Sequence, residues 1–116
     1  MINSIMLVIV AALAAPGQEA ACNGLTDLAL PGATVTAAEL VAAGPYTVQQ
    51  RREEFTVDLP AHCRVALVLM PSVDSQIEME LWLPLGNWNG KFLAVGNGGW
   101  AGSISYGAMV SGLKEG

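Results

Sequence analysis

Hydrophobic and polar positions along the chain fall into a sequence of distinct patterns. Residues 5–15 form an unbroken apolar run, Ile5 to Ala15, followed by Pro16-Gly17. Leu25 to Pro31 is short, mostly apolar and ends in Pro-Gly. In Thr36-Ala37-Ala38-Glu39-Leu40-Val41-Ala42-Ala43-Gly44, Thr36 and Glu39 have the spacing of a capping box, and Gly44-Pro45 supplies a stop. That segment predicts a short helix. Gln49 to Glu54 is the most polar stretch and predicts a surface loop. Arg64 to Met70 is a β-rich apolar run ended by Pro71. Ile77 to Leu83 alternates, with Ile77, Met79, Leu81 and Leu83 on one face and Glu78 and Glu80 on the other. These two runs predict an antiparallel hairpin connected through residues 71–75. A turn over Gly86–Gly90 then leads to a third predicted strand, Lys91–Val95, which runs into Gly96-Asn97-Gly98-Gly99. The tail from Tyr106 to Lys114 has apolar residues at helical spacing, weakened by Gly107 and Gly112.

The leading apolar run is too short to span a bilayer and lies at the very start, with small residues after it. This is the shape of a secretory signal peptide, assigned to residues 1–21, with cleavage expected between Ala14 and Ala21. After Gly17, Ala15 and Gly17 would stand at the −3 and −1 positions. No Lys or Arg precedes the run, so an uncleaved anchor or a buried helix is the competing reading. A lipoprotein at Cys22 is disfavoured by Glu19, which sits where an aliphatic residue is expected. Export places the remainder, residues 22–116, outside the cytoplasm, secreted or periplasmic.

Cysteine usage agrees with export. Cys22 and Cys63 are the only two thiols, and in an oxidising compartment an isolated pair favours a disulfide. A metal site using Cys22, Cys63 and His62 is the weaker rival, because C-x-x-C spacing is absent. The chain of 116 residues holds material for one small domain, and its net charge is −5. Its five basic side chains form no stripe that could neutralise phosphates, which argues against nucleic acid as a partner. No membrane association is expected once the signal is removed.

Catalytic chemistry is incomplete in these residues. His62 is the only histidine, and its neighbours Pro60 and Cys63 suggest a constrained turn with a structural hydrogen bond. Glu78 and Glu80 share a strand face, for which a solvated surface is the expectation. No G-x-S-x-G elbow is present. The feature closest to chemistry is Gly96-Asn97-Gly98-Gly99, expected at the end of a buried strand. Glycines admit positive φ and let backbone N–H groups approach a ligand, and successive amides can form an anion nest. One oxyanion-hole donor in hydrolases comes from such a loop. The same residues, extended to Ala101, also fit the G-x-G-x-x-G/A nucleotide pattern, which export and the upstream hairpin oppose. A tight turn with no ligand is the third reading.

Four blocks in order carry a resemblance: Leu59-Pro60-Ala61-His62-Cys63-Arg64-Val65, then Glu80-Leu81-Trp82-Leu83-Pro84, then Trp88-Asn89-Gly90-Lys91-Phe92, then Gly96-Asn97-Gly98-Gly99-Trp100-Ala101-Gly102. Together they resemble the opening of the tannase and feruloyl esterase family, from about Cys22 onward. The resemblance implies the N-terminal portion of an α/β-hydrolase fold, incomplete as a domain. It implies a serine esterase acting on a small-molecule aromatic ester, with Cys22 and Cys63 as the first disulfide. Gly99, with Gly98 beside it, matches the oxyanion-hole backbone donors, and Asn97 and Trp100 match the rim of the acyl pocket. The family's serine, aspartate and histidine, and its calcium-binding lid, match no residue here. The chain alone is therefore expected to be inactive and to need no cofactor. A small secreted β-rich binding domain without catalysis is the alternative.

Overall fold

A computed structural model describes residues 16–116 other than 51, 98 and 101. Of residues 1–21, assigned to a signal peptide, the apolar run lies outside the described residues, whereas residues 16–21 are described and open the first helix. In chain order the elements are α1 (Pro16–Asn23), a 3-10 turn (Gly24–Asp27), β1 (Ala33–Val41), β2 (Gly44–Gln50), β3 (Glu53–Leu59), β4 (His62–Leu69), β5 (Ile77–Pro84) and α2 (Tyr106–Glu115). The result is a small β-rich unit of two antiparallel sheets, one of three strands in the order β1-β4-β5 and one formed by β2 and β3.

The expected hairpin is present. β4 and β5 pair antiparallel from His62↔Pro84 to Leu69↔Ile77, so the two β-rich runs face each other along their whole length. Strand alternation then sorts the side chains. Cys63, Val65 and Leu67 point to one face, where they meet Cys22 and Val35 in a buried cluster flanked by Leu25, Leu40 and Leu81. Burying each of these aliphatic side chains stabilises the fold by about 1.5–3 kcal/mol. His62, Arg64 and Ala66 alternate onto the opposite face, in register with Pro84, Trp82 and Glu80. A disulfide joins Cys22 to Cys63 with Cα atoms 5.7 Å apart, tying α1 to the central strand. Both thiols are thereby used, which removes the metal reading of Cys22, Cys63 and His62.

Three sequence expectations are corrected. The segment from Thr36, read as a capped helix, is strand: β1 pairs antiparallel with β4 from Ala33↔Leu69 to Val41↔His62. The capping-box residues have other partners. Thr36 lies at a register shift between Val35 and Ala37, and its hydroxyl donates to the Ala66 carbonyl at 3.1 Å. Glu39 reaches across the sheet to Arg64 at 2.9 Å. An available edge on β4, with its buried face, outweighs the modest helix preference of the alanines.

The polar stretch Gln49–Glu54 is also not a free loop, because it forms the adjoining ends of β2 and β3. Their ladder runs from Gly44↔Leu59 to Gln50↔Glu53. Thr47 pairs with Thr56 across the strands at 3.0 Å, and Gln49 donates to Glu54. Polarity there reports exposure, and cross-strand polar pairs support the strands.

Lys91–Val95 is not a strand. The turn before it has positive φ at Asn87 (56°) and Gly90 (79°), and the Asn89 backbone N–H donates to the Gly116 carbonyl at 2.9 Å. That turn brings the chain to the C-terminal end of the last helix, which follows over Tyr106–Glu115. With no ladder partner among the described residues, Phe92, Leu93 and Val95 are left exposed. The tail helix, in contrast, forms as the spacing predicts. α2 buries Val110 and Leu113 against Val48 and Leu59, with Tyr46, Val57 and Trp82 packed around them. It thereby bridges the two sheets. No helix among the described residues is long and apolar enough to cross a membrane.

Candidate functional site

The glycine loop leaves the segment after β5 and returns to the chain at Tyr106. Gly99 takes φ +56° and Gly102 φ +58°, conformations that side chains other than glycine rarely adopt. A Cβ at either position would meet nothing within 4 Å, so the constraint is the backbone and not crowding. Gly99 is exposed, as are Asn97 and Trp100, and Trp100 is fully exposed at 104%. Gly98, the other expected oxyanion donor, lies outside the described residues. A broad open groove of about 1550 Å³ runs beside the loop, between β5 and α2. Met79, Leu83, Trp88, Phe92, Asn97 and Tyr106 are among its lining residues, whereas Gly99 and Trp100 are not.

His62 fills the structural role expected of it. It is 1% exposed, its Nδ1–H donates to the Pro60 carbonyl at 3.0 Å, and its ring lies 5.0 Å from that of Trp82.

The expectation for Glu80 fails. Glu78 is exposed, but the Glu80 side chain is only 5% exposed because α2 covers that part of the strand face. Its carboxylate accepts hydrogen bonds from Arg64 Nε at 3.2 Å, Arg64 Nη2 at 2.5 Å, Trp82 Nε1 at 3.2 Å and the Tyr106 hydroxyl at 2.8 Å. Arg64 is shared with Glu39 of β1, so three adjacent strands carry one ion-pair network. Trp82 stands at its centre, 5.4 Å from Tyr46 and 6.1 Å from Tyr106 between ring centroids.

Electrostatics follow from that enclosure. Burial pushes the Glu80 carboxyl upward, but the hydrogen bonds from Arg64, Tyr106 and Trp82 outweigh it and hold the group below the ordinary carboxylate range. The Arg64 guanidinium is held still more firmly protonated by its bond to Glu80, against the opposing effect of burial. Burial raises the Tyr106 phenol, and its hydrogen bond to Glu80 raises it further. Tyr46 is raised by burial and then by the charge of Glu80. An ionised carboxylate saturated with donors is a poor proton acceptor, so the network fixes geometry and does not transfer protons. The alternation of β5 gave the face of Glu80; the shared face with Trp82 was the one available hint that something covers it.

No family model matches the chain. Individual proteins do. It is 38% identical over 107 residues to an uncharacterized esterase of Xanthomonas campestris pv. campestris, an alignment covering 91% of this chain and 18% of that protein. It is 39% identical over 94 residues to feruloyl esterase C of Talaromyces stipitatus, covering 73% of this chain and 17% of that one. A probable feruloyl esterase B-2 of Aspergillus flavus is 42% identical over 86 residues, 67% of this chain and 16% of its own length. The chain spans less than a fifth of the length of these curated relatives.

Proposed function

This chain belongs to the tannase and feruloyl esterase family, of which it matches one stretch, and we propose that it supplies the oxyanion loop of a secreted serine esterase. The substrate class is esters of phenolic or aromatic carboxylic acids. The observation that carries the reading is the esterase kinship over nine-tenths of the chain, within which a left-handed glycine follows the segment after the β4–β5 hairpin.

The stretch from residue 22 onward forms part of an α/β-hydrolase catalytic domain, and the export signal lies within residues 1–21, with cleavage between Ala14 and Ala21. A serine outside this sequence attacks the ester carbonyl, with an acid and a base also from outside it. As the carbonyl carbon becomes tetrahedral, its oxygen gains negative charge. The backbone N–H groups of Gly98 and Gly99 donate to that oxygen, and one such donor typically lowers the barrier by about 3–4 kcal/mol. The alcohol leaves, and water hydrolyses the acyl-enzyme by the same route in reverse. Asn97 and Trp100 stand at the rim of the acyl pocket, a placement supported by their exposure. The disulfide holds the N-terminal segment on the central strand while this loop works.

The test is to assay the full-length natural chain carrying this sequence on ethyl ferulate and methyl gallate. Turnover abolished by a serine-reactive inhibitor is expected. A folded full-length chain that turns over neither ester contradicts the reading.

A further inference from the structure

We propose that Glu80, acting through the Tyr106 hydroxyl, is a positioning residue that orients α2 and through it the glycine loop. The inference rests on the esterase reading only for its catalytic consequence.

The loop is anchored on α2 at both ends. On the incoming side, Leu93 lies directly on the helix: a Cβ added at Gly112 would come within 2.8 Å of Leu93 Cδ2. Just upstream, Asn89 holds the C-terminal end of the helix, donating from Nδ2 to the carbonyl of its last residue, Glu115, at 3.2 Å and from its backbone N–H to the carbonyl of the capping Gly116 at 2.9 Å. On the outgoing side the loop ends where α2 begins, at Tyr106. The orientation of α2 therefore sets the position of both ends of the loop that carries Gly99.

The buried residues Val110 and Leu113 of α2 pack on Val48 and Leu59, and apolar contacts of this kind are non-directional. They hold the helix down without fixing its first turn. The directed contact at that end is the 2.8 Å bond from the Tyr106 hydroxyl to Glu80 Oε1. Glu80 is itself immobilised by Arg64 and Trp82, so this bond ties the start of α2 to the rigid three-stranded sheet. A hydrogen bond to a charged, enclosed acceptor is among the stronger ones available to a side chain.

The experiment compares the full-length natural chain with Tyr106→Phe, which removes one hydroxyl and keeps the ring in the core, and with Glu80→Ala. Two readouts are needed: order parameters of the ¹⁵N-labelled amides of Gly99 and Gly102, and kcat and KM on ethyl ferulate. In Tyr106→Phe the Gly99 amide should leave the rigid range near about 0.85 for values below about 0.6. The kcat should fall about tenfold with KM held, a split expected when a transition-state contact is loosened. In the Glu80→Ala background, Tyr106→Phe should change neither readout further, because the acceptor is already gone. Unchanged order parameters at Gly99 and Gly102 in Tyr106→Phe overturn the positioning role, whatever kcat does. A mobile Gly99 with an unchanged kcat supports the positioning role and instead counts against the oxyanion assignment.

Discussion

Glu80 shows how much a single side chain can depend on what lies above it. Alternation along β5 correctly places it opposite Met79 and Leu81, yet nothing in that pattern reveals that α2 returns to cover it. Enclosed with Arg64, Trp82 and Tyr106, and near Tyr46 and the Glu39 partner of Arg64, it becomes a source of pH-dependent stability. Its carboxyl is held below the ordinary value of 4.5 in the fold and returns to it on unfolding. The unfolded chain therefore binds a proton more readily, and stability from this group is complete above about pH 4.5 and is lost as pH falls through the folded value. Thermal melts between pH 7 and pH 2 should show this loss, and Glu80→Gln should flatten that part of the profile. An unchanged acid profile in Glu80→Gln would contradict the network.

Cys22 and Cys63 lie at the other extreme of legibility, since their isolation in the sequence already pointed to pairing. The separation of 41 residues makes the bond worth about 4 kcal/mol on the chain-entropy model. Denaturant unfolding of the double Cys→Ser variant should register a loss of that order. A stability within about 1 kcal/mol of the parent would show that the bridge constrains little.

Among the elements, the apolar spacing of β4, β5 and α2 was matched by the fold, whereas the capped-helix signature at Thr36 and the strand pattern at Lys91–Val95 were not. β4, β5 and α2 follow directly from apolar spacing. β1 does not, because Thr36 and Glu39 carry the local signature of a helix start while the free edge of β4 rewards pairing, a long-range fact that no nearby residue encodes. Lys91–Val95 fails for the converse reason: its strand pattern lacks a ladder partner among the described residues. The second cluster gives a direct test of how α2 is held. Leu113→Ala should cost about 2–5 kcal/mol, since this buried residue packs against the β2–β3 sheet. Glu39→Ala should cost less than about 1 kcal/mol, because that end of the ion-pair network is 60% exposed. Equal costs measured by chemical denaturation would mean that the packing of α2 has been misread.

Across the whole molecule, the exposed apolar side chains Trp88, Phe92 and Leu93 line the groove beside the glycine loop, whose own Trp100 is fully exposed. Surfaces of this kind are sites where further chain or a ligand packs. The sequence made the loop legible through its glycines, and the structure adds the left-handed backbone at Gly99 and the helix that holds the loop's two ends. The 116-residue chain by itself should not turn over aryl esters, because its only histidine, His62, is buried and committed to Pro60. Inhibitor-sensitive hydrolysis of ethyl ferulate by the purified chain would contradict that expectation.

We assign the Gly99 N–H to an oxyanion, and Gly99 and Gly102 offer a matched pair for testing that role. Both have φ close to +57° with open space where a Cβ would stand, so a valine at either imposes the same kind of backbone strain. Of these two, Gly99 alone is assigned a bond to the reacting oxygen. The decisive measurement is therefore kcat for ethyl ferulate in the full-length natural chain bearing Gly99→Val or Gly102→Val, each checked for folding and for its disulfide. Gly99→Val should lower kcat by about 100- to 1,000-fold, as loss of one oxyanion donor typically does, while Gly102→Val should lose stability and keep most of its kcat. A folded Gly99→Val with near-normal kcat, or equal losses in the two variants, would contradict the account.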